Sequence, residues 1–336
     1  MIPLVPHHRQ SAVARALQAA FGRTAPDQIV PLTGGLSGAQ VFRIEVGGGT
    51  FVLRLDGPQD NMVPAPIWYE TMRTAAAAGL APQVHHADAT DRVMILDFVP
   101  PRSLATDFQG TRPDLMGLFG QRLRQLHDVP DFPVLVDYLD GVWSLVEGLA
   151  ATGLFEPGVL EPLMDLYRDL VPVYRHQASA PVASHNDLNP RNILFDGTRI
   201  WFVDWEAAFV ADAYVDLAAV ANVYAHSPED LEALLTAYFG RAPCEAERAR
   251  LHLMRLINHL FYGAVMARGV AAAGGGVQFQ TLSDSALAEI HQGLATGQFN
   301  LDSPAGQLTY ARARLAAAFE GLTSQDLAGQ IARLRS

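Results

Sequence analysis

The segment from Ser184 to Glu206 carries the side chains with the clearest chemical potential. It reads SHNDLNPRNILFDGTRIWFVDWE and holds three aspartates, three asparagines, one histidine and one glutamate. Asp187 and Asn192 precede the apolar run of a strand-like stretch, and Asp204 follows a second apolar run. Carboxylate and carboxamide oxygens are the donors that Mg²⁺ takes together with phosphates and water. A carboxylate that is free of the metal could accept a hydroxyl proton, so the segment indicates phosphoryl transfer to an alcohol.

Two short strands are needed to bring Asp187, Asn192 and Asp204 together. The runs NILF and RIWFV flank the turn DGT, and this pattern predicts a β-hairpin. Because a hairpin returns the chain on itself, the polar loop with Asp187 and Asn192 can converge with Asp204 at the far strand end. A polar hairpin loop with a buried histidine is the structural alternative for the same residues.

The rest of the chain divides into two regions of different character. Residues 29–57 predict short strands joined by glycine turns, residues 66–79 predict a helix, and two more strands follow. From residue 112 onward helical patterns dominate. The sequence therefore predicts an α+β fold, with a small antiparallel sheet plus one helix in domain 1–99 and a mainly helical domain 100–336. The boundary is placed at the helix-breaking stretch PPRS.

Composition and charge narrow the class of protein. A length of 336 residues suits two lobes rather than one core. The net charge of −11 argues against a nucleic-acid partner and mildly favours a cationic substrate. No apolar run reaches the roughly 18 residues of a membrane span, so we expect no transmembrane helix. The one cysteine, Cys244, and the lack of a signal-peptide pattern favour a cytoplasmic location.

The polar segment also resembles a known family. The spacing H-x-D-x-x-x-x-N from His185 to Asn192, followed by Asp204, is similar to the catalytic loop and metal-binding aspartate of protein-kinase-like enzymes. With its HND and DWE triplets, the chain resembles the aminoglycoside phosphotransferase and choline/ethanolamine kinase superfamily over nearly its whole length. This resemblance implies a two-lobed protein-kinase-like fold with ATP and Mg²⁺ as cofactors. It makes Asp187 the catalytic base, Asn192 and Asp204 the metal ligands, and His185 a structural residue.

The resemblance also implies a nucleotide site in the N-terminal lobe. The family's phosphate-covering loop corresponds to TGGLSG, and the implied nucleotide-binding residues there are Gly34, Gly35, Ser37 and Gly38. All 24 basic residues are arginine, so Arg54 stands where the family has a phosphate-contacting lysine, with Glu70 as its partner. Backbone groups from Asp97 to Val99 would meet the adenine edge in the hinge. The alternatives that involve no nucleotide are a plain hairpin turn for the glycine-rich loop, a solvent-facing side chain for Arg54 and a solvated helix face for Glu70.

The substrate side of the resemblance is partial. Residues 258–265, NHLFYGAV, resemble the aromatic helix of choline kinases, with Tyr262 at the first tryptophan position. An aromatic face there would favour a quaternary ammonium group, although core packing is the alternative for this tyrosine. Val223 stands where the family has a choline-contacting glutamate. The substrate-binding candidates are therefore Asp187, Glu206 and Tyr262, and Asp216 is implied to be structural.

These features lead to one hypothesis with two alternatives. The chain is predicted to be a kinase that transfers the γ-phosphate of ATP, with Mg²⁺, to the hydroxyl group of a choline- or ethanolamine-like amino alcohol. An aminoglycoside or another hydroxylated metabolite is the alternative acceptor. A catalytically silent nucleotide-binding regulatory protein of the same fold is the alternative from another class.

Overall fold

The computed structural model describes residues 2, 4–32, 39–57, 63–176, 180–274, 278–283 and 285–335. The chain divides into two compact units. The first unit consists of Met1–Leu135, Val182–Val210 and Ala225–Gly240, and the second of Val136–Pro181, Ala211–Tyr224 and Arg241–Ser336. The predicted domain boundary after Val99 stays a prediction. Within the described residues, no helix combines the length and the apolarity that crossing a bilayer requires.

The first unit contains the sheet and the helices that support it. Its strands are β1 (Gln28–Leu32), β2 (Gln40–Val46), β3 (Gly49–Leu55), β4 (Val84–Asp88), β5 (Val93–Asp97), β6 (Val182–Ser184), β7 (Ile193–Phe195), β8 (Ile200–Phe202) and β9 (Phe209–Ala211). Its helices are α1 (Gln10–Phe21), α2 (Ala65–Ala77), α3 (Arg112–His127) and α7 (Pro228–Phe239). The predicted order of three strands, one helix and two further strands is present, which confirms the α+β class for this part of the chain.

The main sheet is antiparallel, with strand order β1-β2-β3-β5-β4. Successive side chains of a strand point to opposite faces, so each strand divides its residues between two environments. On one face, Leu53 and Leu55 of β3 pack with Val13 and Leu17 of α1 in an apolar core. Arg54, between these two leucines, therefore points to the opposite face. This alternation places the guanidinium of Arg54 on the face of the sheet opposite to the apolar core.

The predicted hairpin is present as the pair β7 and β8. The strands are antiparallel, with Ile193 opposite Phe202 and Phe195 opposite Ile200. The pairing continues beyond the strands, because the Val203 amide donates to the Asn192 carbonyl oxygen at 2.9 Å. The position before Asp204 is thereby fixed beside Asn192, which confirms the predicted hairpin and the convergence of its two ends.

The second unit is helical. Its elements are α4 (Tyr138–Ala150), α5 (Glu161–His176), α6 (Tyr214–Tyr224), α8 (Glu245–Ala272), α9 (Leu287–Thr296), α10 (Pro304–Leu322) and α11 (Leu327–Leu334). The long helix α8 packs against α4, α6, α10 and α11. Helix α4 begins at Tyr138, where the Asp137 carboxylate caps the amides of Leu139 and Asp140.

The contact between α3 and α7 depends on a glycine and supplies a test of the fold. Gly120 is buried on α3, and a Cβ atom there would lie 2.9 Å from the Cβ of Ala237 on α7. Gly120→Ala should therefore lower the free energy of unfolding by about 1–3 kcal/mol through overpacking.

Gly117 on the same helix is the matched control, because a Cβ atom at this position would meet no heavy atom within 4 Å. Gly117→Ala should keep or raise stability by roughly 0.5–1 kcal/mol, since alanine is the better helix former. Chemical denaturation of both variants measures the difference. Equal effects of the two substitutions would contradict the close α3–α7 packing.

Candidate active site

A cavity of about 500 Å³ lies in the first unit and gathers the predicted polar residues. Its volume falls in the range of roughly 300–1,000 Å³ that is typical of small-molecule sites. The predicted site residues that line it are Arg54, Asp97, Val99, Asp187, Asn192 and Asp204. One wall is apolar and includes Val41, Val52, Met94 and Leu96 from the sheet. The cavity therefore combines a flat apolar surface with a cluster of charged and amide groups.

The Asp187 carboxylate is held by two amide side chains. Asn189 Nδ2 donates to Asp187 Oδ1 at 3.1 Å, and Asn192 Nδ2 donates to Asp187 Oδ2 at 3.0 Å. The same Asn192 nitrogen also donates to the Asp187 carbonyl oxygen at 2.8 Å. Because the amide nitrogen of Asn192 serves Asp187, its Oδ1 is the atom that can face a cation. Asp187 is half-buried, so its carboxylate is oriented but still reachable.

His185 and Asn186 have structural positions next to this carboxylate. His185 is fully buried, and its Nε2 donates to the Val203 carbonyl oxygen at 3.0 Å. Asn186 adopts φ 63°, and its Nδ2 donates to the carbonyl oxygens of Ala207 and Phe209 at 3.0 and 3.1 Å. Asparagine tolerates this left-handed backbone better than most residues. The two side chains tie the loop before Asp187 to the segment around Asp204.

Asp204 lies directly after the hairpin in a left-handed conformation. Its φ and ψ are both 65°, which is uncommon for a residue with a Cβ atom. Strained backbone of this kind persists where neighbouring structure enforces it, and it is frequent at functional sites. Here the enforcing structure is the hairpin on one side and the fully buried Trp205, whose ring lies 4.6 Å from that of His185, on the other.

Arg54 is the centre of charge in the cavity. Its Nε donates to Asp56 Oδ1 at 2.7 Å, its Nη1 donates to Asp204 Oδ1 at 3.0 Å, and its Nη2 contacts Glu206. Only 11% of the side chain is exposed. Burial lowers the pKa of the guanidinium, but the carboxylates of Asp204 and Asp56 outweigh this effect and the net result is a raised pKa. Arg54 therefore stays charged and ties the metal-site candidate Asp204 to the sheet.

Asp56, Tyr69 and Trp68 complete this arrangement, and the sequence analysis missed all three. The Tyr69 hydroxyl donates to Asp56 Oδ2 at 2.6 Å, and the Trp68 ring centroid lies 5.1 Å from the Arg54 guanidinium carbon. Burial and the neighbouring Asp56 raise the pKa of Tyr69, so its phenol remains a donor. The spacing of Arg54 and Asp56 at i and i+2 on one strand face was the available signal for Asp56.

Some predicted nucleotide-site residues are not brought together. Glu70, the predicted partner of Arg54, is exposed on α2, and no ion pair or hydrogen bond of the described residues joins the two. Gly34, Gly35, Ser37 and Gly38 lie outside the described residues. Asp97 and Val99 do line the cavity. The Asp97 amide donates to the Gln83 carbonyl oxygen at 2.9 Å, so this N–H is already used by the protein.

The donor set fits a magnesium ion that shares its ligands with a substrate. Asp204 supplies a carboxylate and Asn192 a carboxamide oxygen, which are hard oxygen donors. Across the described ranges, no group of three His, Cys, Asp or Glu side chains could hold a metal ion. Mg²⁺ commonly binds through one or two protein ligands together with phosphates and water, so two oxygen donors beside an open cavity suit it.

Two further predicted residues lie in the second unit. Asp216 is fully buried on α6, and its structural role stays a prediction. Tyr262 lies on α8, where the guanidinium carbon of Arg314 is 5.2 Å from its ring centroid. The predicted aromatic surface thus already has a cation of the chain itself beside it.

Comparisons with known proteins agree with this site. Residues 28–252 match the model of the phosphotransferase enzyme family. The chain is 25% identical over 259 residues to an aminoglycoside 3'-phosphotransferase of Escherichia coli, which covers 68% of this chain and 88% of that protein. These matches confirm the predicted family resemblance.

Two solved structures show the same fold. A choline/ethanolamine kinase family protein from Mesorhizobium loti superposes with a TM-score of 0.66 at 22% identity, covering 97% of this chain and 99% of that chain. The aminoglycoside phosphotransferase APH(2'')-Ib, solved with bound ADP, superposes with a TM-score of 0.59 at 14% identity, covering 79% and 90% of the two chains. The predicted kinase-like fold is confirmed, and so is the prediction that the protein is an enzyme that transfers phosphate. The chain belongs to the phosphotransferase enzyme family and acts as a kinase on small molecules.

Proposed function

We propose that the protein transfers the γ-phosphate of ATP to a hydroxyl group of a small molecule with the help of Mg²⁺. The observation that carries the proposal is the cavity in which Arg54, Asp187, Asn192 and Asp204 meet. These residues provide a fixed cation, an oriented carboxylate and two oxygen donors, which are the parts that phosphoryl transfer to an alcohol needs. The ADP bound to one structural relative supports a nucleotide as the phosphate donor.

Asp187 has the geometry of the base in this reaction. The acceptor oxygen attacks the γ-phosphorus, the bond between that phosphorus and the β,γ-bridging oxygen breaks, and ADP leaves. The hydroxyl proton passes to an Asp187 carboxylate oxygen. Asn189 and Asn192 keep that carboxylate in one orientation through the bonds to Oδ1 and Oδ2. Mg²⁺ held by Asn192 and Asp204 would neutralise charge on the phosphates.

Arg54 and the hinge provide the remaining nucleotide contacts of the proposal. Arg54 would meet phosphate oxygens, while Asp56 and Tyr69 keep its side chain in position. The apolar side chains of Val41, Val52 and Leu96 suit the faces of an adenine ring. No hydrogen bond among the described residues uses the Val99 amide, which makes it the hinge donor for the adenine edge.

The acceptor is best described as a hydroxylated metabolite that is not recognised by a cation–π contact at Tyr262. A cation stacked on an aromatic ring gains about 0.5–2 kcal/mol. The Arg314 guanidinium beside the ring would repel such a cation by about 2 kcal/mol at a separation of about 9 Å and an effective dielectric constant of about 20. The two terms are similar in size and opposite in sign, so Tyr262 gives a quaternary ammonium no net advantage over an uncharged hydroxylated acceptor.

The function is tested by measuring ADP release with a panel of amino alcohols, aminoglycosides, sugars and hydroxylated acids. We expect Mg²⁺-dependent turnover with at least one acceptor and a phosphomonoester product by phosphorus NMR. Asp187→Asn should retain nucleotide affinity and lose roughly 10²- to 10⁴-fold in kcat, since positioned acid–base groups contribute about that much.

Asp128→Asn is the matched control, because Asp128 is an exposed carboxylate in the same unit that pairs with Arg124 outside the cavity. This variant should keep the wild-type rate. Nucleotide binding without turnover of any acceptor would favour the catalytically silent alternative. Near wild-type kcat in Asp187→Asn would remove Asp187 from the role of base.

Tyr69→Phe tests whether Asp56 positions Arg54. The substitution removes the 2.6 Å hydrogen bond to the buried Asp56 carboxylate. Hydrogen bonds to charged groups contribute about 1.5–3 kcal/mol, so the free energy of unfolding should fall by about that amount. The KM for ATP should rise about fivefold, which corresponds to about 1 kcal/mol of binding free energy.

Tyr167→Phe is the control for this measurement. Tyr167 is a buried tyrosine of the second unit, and its hydroxyl donates to the Leu139 carbonyl oxygen at 2.7 Å. Its loss should lower stability by about 1 kcal/mol with no change in the KM for ATP. A similar KM for both variants would show that Tyr69 contributes only to stability.

A further inference from the structure

The second unit contains a cluster of basic and aromatic side chains between α8 and α10. It consists of Arg255, His259 and Tyr262 on α8 and of Tyr310 and Arg314 on α10, and we call it the α8–α10 arginine cluster. The α8 members are spaced by four and three residues, which places them on one helix face. Arg314 Nη2 donates to the Tyr310 hydroxyl at 2.6 Å, and Arg314 Nη1 lies 3.3 Å from His259 Nδ1. Arg314 is thus in contact with groups on both helices.

The cluster is positively charged and has no counter-charge within the described residues. In the part of the chain that the structure describes, no carboxylate forms an ion pair with Arg255 or Arg314. Burial lowers the pKa of Arg255, and no acidic neighbour opposes that effect. Burial, Arg314 and Arg255 all lower the pKa of His259, with a smaller contribution of the same sign from His291. The imidazole is therefore neutral near pH 7, and the field around it is positive.

Two other buried arginines of the chain, Arg54 and Arg250, have carboxylate partners. The chain has 35 acidic and 24 basic residues, so acidic partners are in excess. Arg250, a buried arginine on the same helix, does form an ion pair with Asp212. Arg54 in the first unit has three carboxylate partners. These two buried cations are neutralised internally, whereas Arg255 and Arg314 have no such partner among the described residues.

The cluster combines a buried arginine on α10 with partly exposed side chains on α8, and a binding site requires both a buried charge and access from solvent. Arg314 is only 3% exposed, and no described residue accepts a hydrogen bond from its Nε. Arg255, His259 and Tyr262 are half-buried, so solvent reaches the α8 side of the cluster. An uncompensated buried charge costs free energy, and a ligand of opposite charge removes that cost. The missing partner is therefore an anion that enters from the α8 side.

Arg255 is held in a fixed orientation. Its Nε donates to Asn222 Oδ1 at 2.8 Å, and Asn222 Nδ2 donates to the Arg255 carbonyl oxygen at 3.0 Å and to Asn258 Oδ1 at 2.9 Å. These bonds use Nε and leave the two terminal nitrogens of the guanidinium for a ligand. Two parallel N–H donors match the two oxygens of a carboxylate, and a guanidinium held in place loses little entropy on binding.

We propose that the α8–α10 arginine cluster is a binding site for the carboxylate group of a small organic acid. Arg255 provides the paired donors, Arg314 provides the buried second charge, and the neutral His259 adds no charge that would need a further anion. The acid is either the phosphate acceptor itself or a separate ligand. The site does not depend on the proposed phosphotransfer, so the two proposals can fail independently.

The test uses compounds that differ only in a carboxylate. Serine is compared with ethanolamine, and glycerate with ethylene glycol, in calorimetric titrations of the full-length protein at constant ionic strength. Acetate and inorganic phosphate are the minimal anion probes. We expect each acid to bind at least about tenfold more tightly than its partner, and Arg255→Gln to remove that difference.

Two further variants keep the result interpretable. Arg255→Lys retains the charge without the paired donors and should weaken binding of the acids by several-fold, and it replaces Arg255→Gln if that variant does not fold. Arg168→Gln, which removes an exposed arginine of the same unit that pairs with Asp165, should leave all affinities unchanged. Equal affinities within each pair, or binding of phosphate alone, would overturn the proposal.

Turnover assays with the same compounds separate the sources of the acid and the two proposals. Binding of an acid together with its phosphorylation identifies the acid as the acceptor, and binding without its phosphorylation identifies a separate ligand. Carboxylate binding in a protein that phosphorylates no compound would overturn the proposed function and keep this site. Phosphorylation of ethanolamine or ethylene glycol at the same rate as the acids, with equal binding affinities, would overturn the carboxylate site and keep the proposed function.

Discussion

The ion-pair group around Arg54 is the interaction on which the candidate active site depends. One guanidinium, nine-tenths buried, joins Asp56 at the end of β3 to Asp204 and Glu206 after the hairpin. Burying an isolated cation would be unfavourable, and the three carboxylates offset that cost. The same contacts fix the direction of Asp204, which is already constrained by its left-handed backbone. The sheet therefore serves as the rigid support of the carboxylate that we propose as a metal ligand.

The chain contains no lysine, and this constraint gives the site its particular form. An ammonium group is a compact point charge, whereas a guanidinium presents donors in a planar fork. Arg54 uses that fork to reach carboxylates on different elements. The Trp68 ring on α2 lies beside the guanidinium, and Tyr69 on the same helix holds Asp56, the carboxylate that pairs with it. The arginine at this position is thus accompanied by positioning residues on a neighbouring helix.

Local patterns predicted much of the fold and the core of the site, while long-range partners were not predictable. The hairpin from Ile193 to Phe202 was predicted because its turn and its apolar runs lie within ten residues. Arg54 was predicted from its place on the third strand, but its partners Asp204 and Glu206 are about 150 residues away, and Glu70 was expected instead. The contact of Arg314 with Tyr262 joins two helices with no shared sequence signal.

The buried arginine of the first unit and the α8–α10 arginine cluster of the second unit differ in how their positive charge is neutralised. In the first unit, the buried Arg54 is neutralised by carboxylates that the sequence places around the hairpin. In the second unit, Arg255 and Arg314 lack such neutralisation within the described residues. The chain carries a net charge of −11, so the positive charge of this cluster contrasts with the acidic balance of the whole sequence.

The central claim is that Arg54 holds Asp204 in place for a metal ion. The most direct test is the affinity for ADP, measured with Mg²⁺ and with a chelator, in the wild-type protein and in Asp204→Asn. With Mg²⁺, the substitution should weaken binding at least about tenfold, because a ligand is lost from a site with few protein ligands. Without the metal, it should strengthen binding, because Arg54 is released toward the phosphates and a repelling carboxylate is gone. Equal affinities of the two proteins under both conditions, or a loss of the same size in each, would contradict the account.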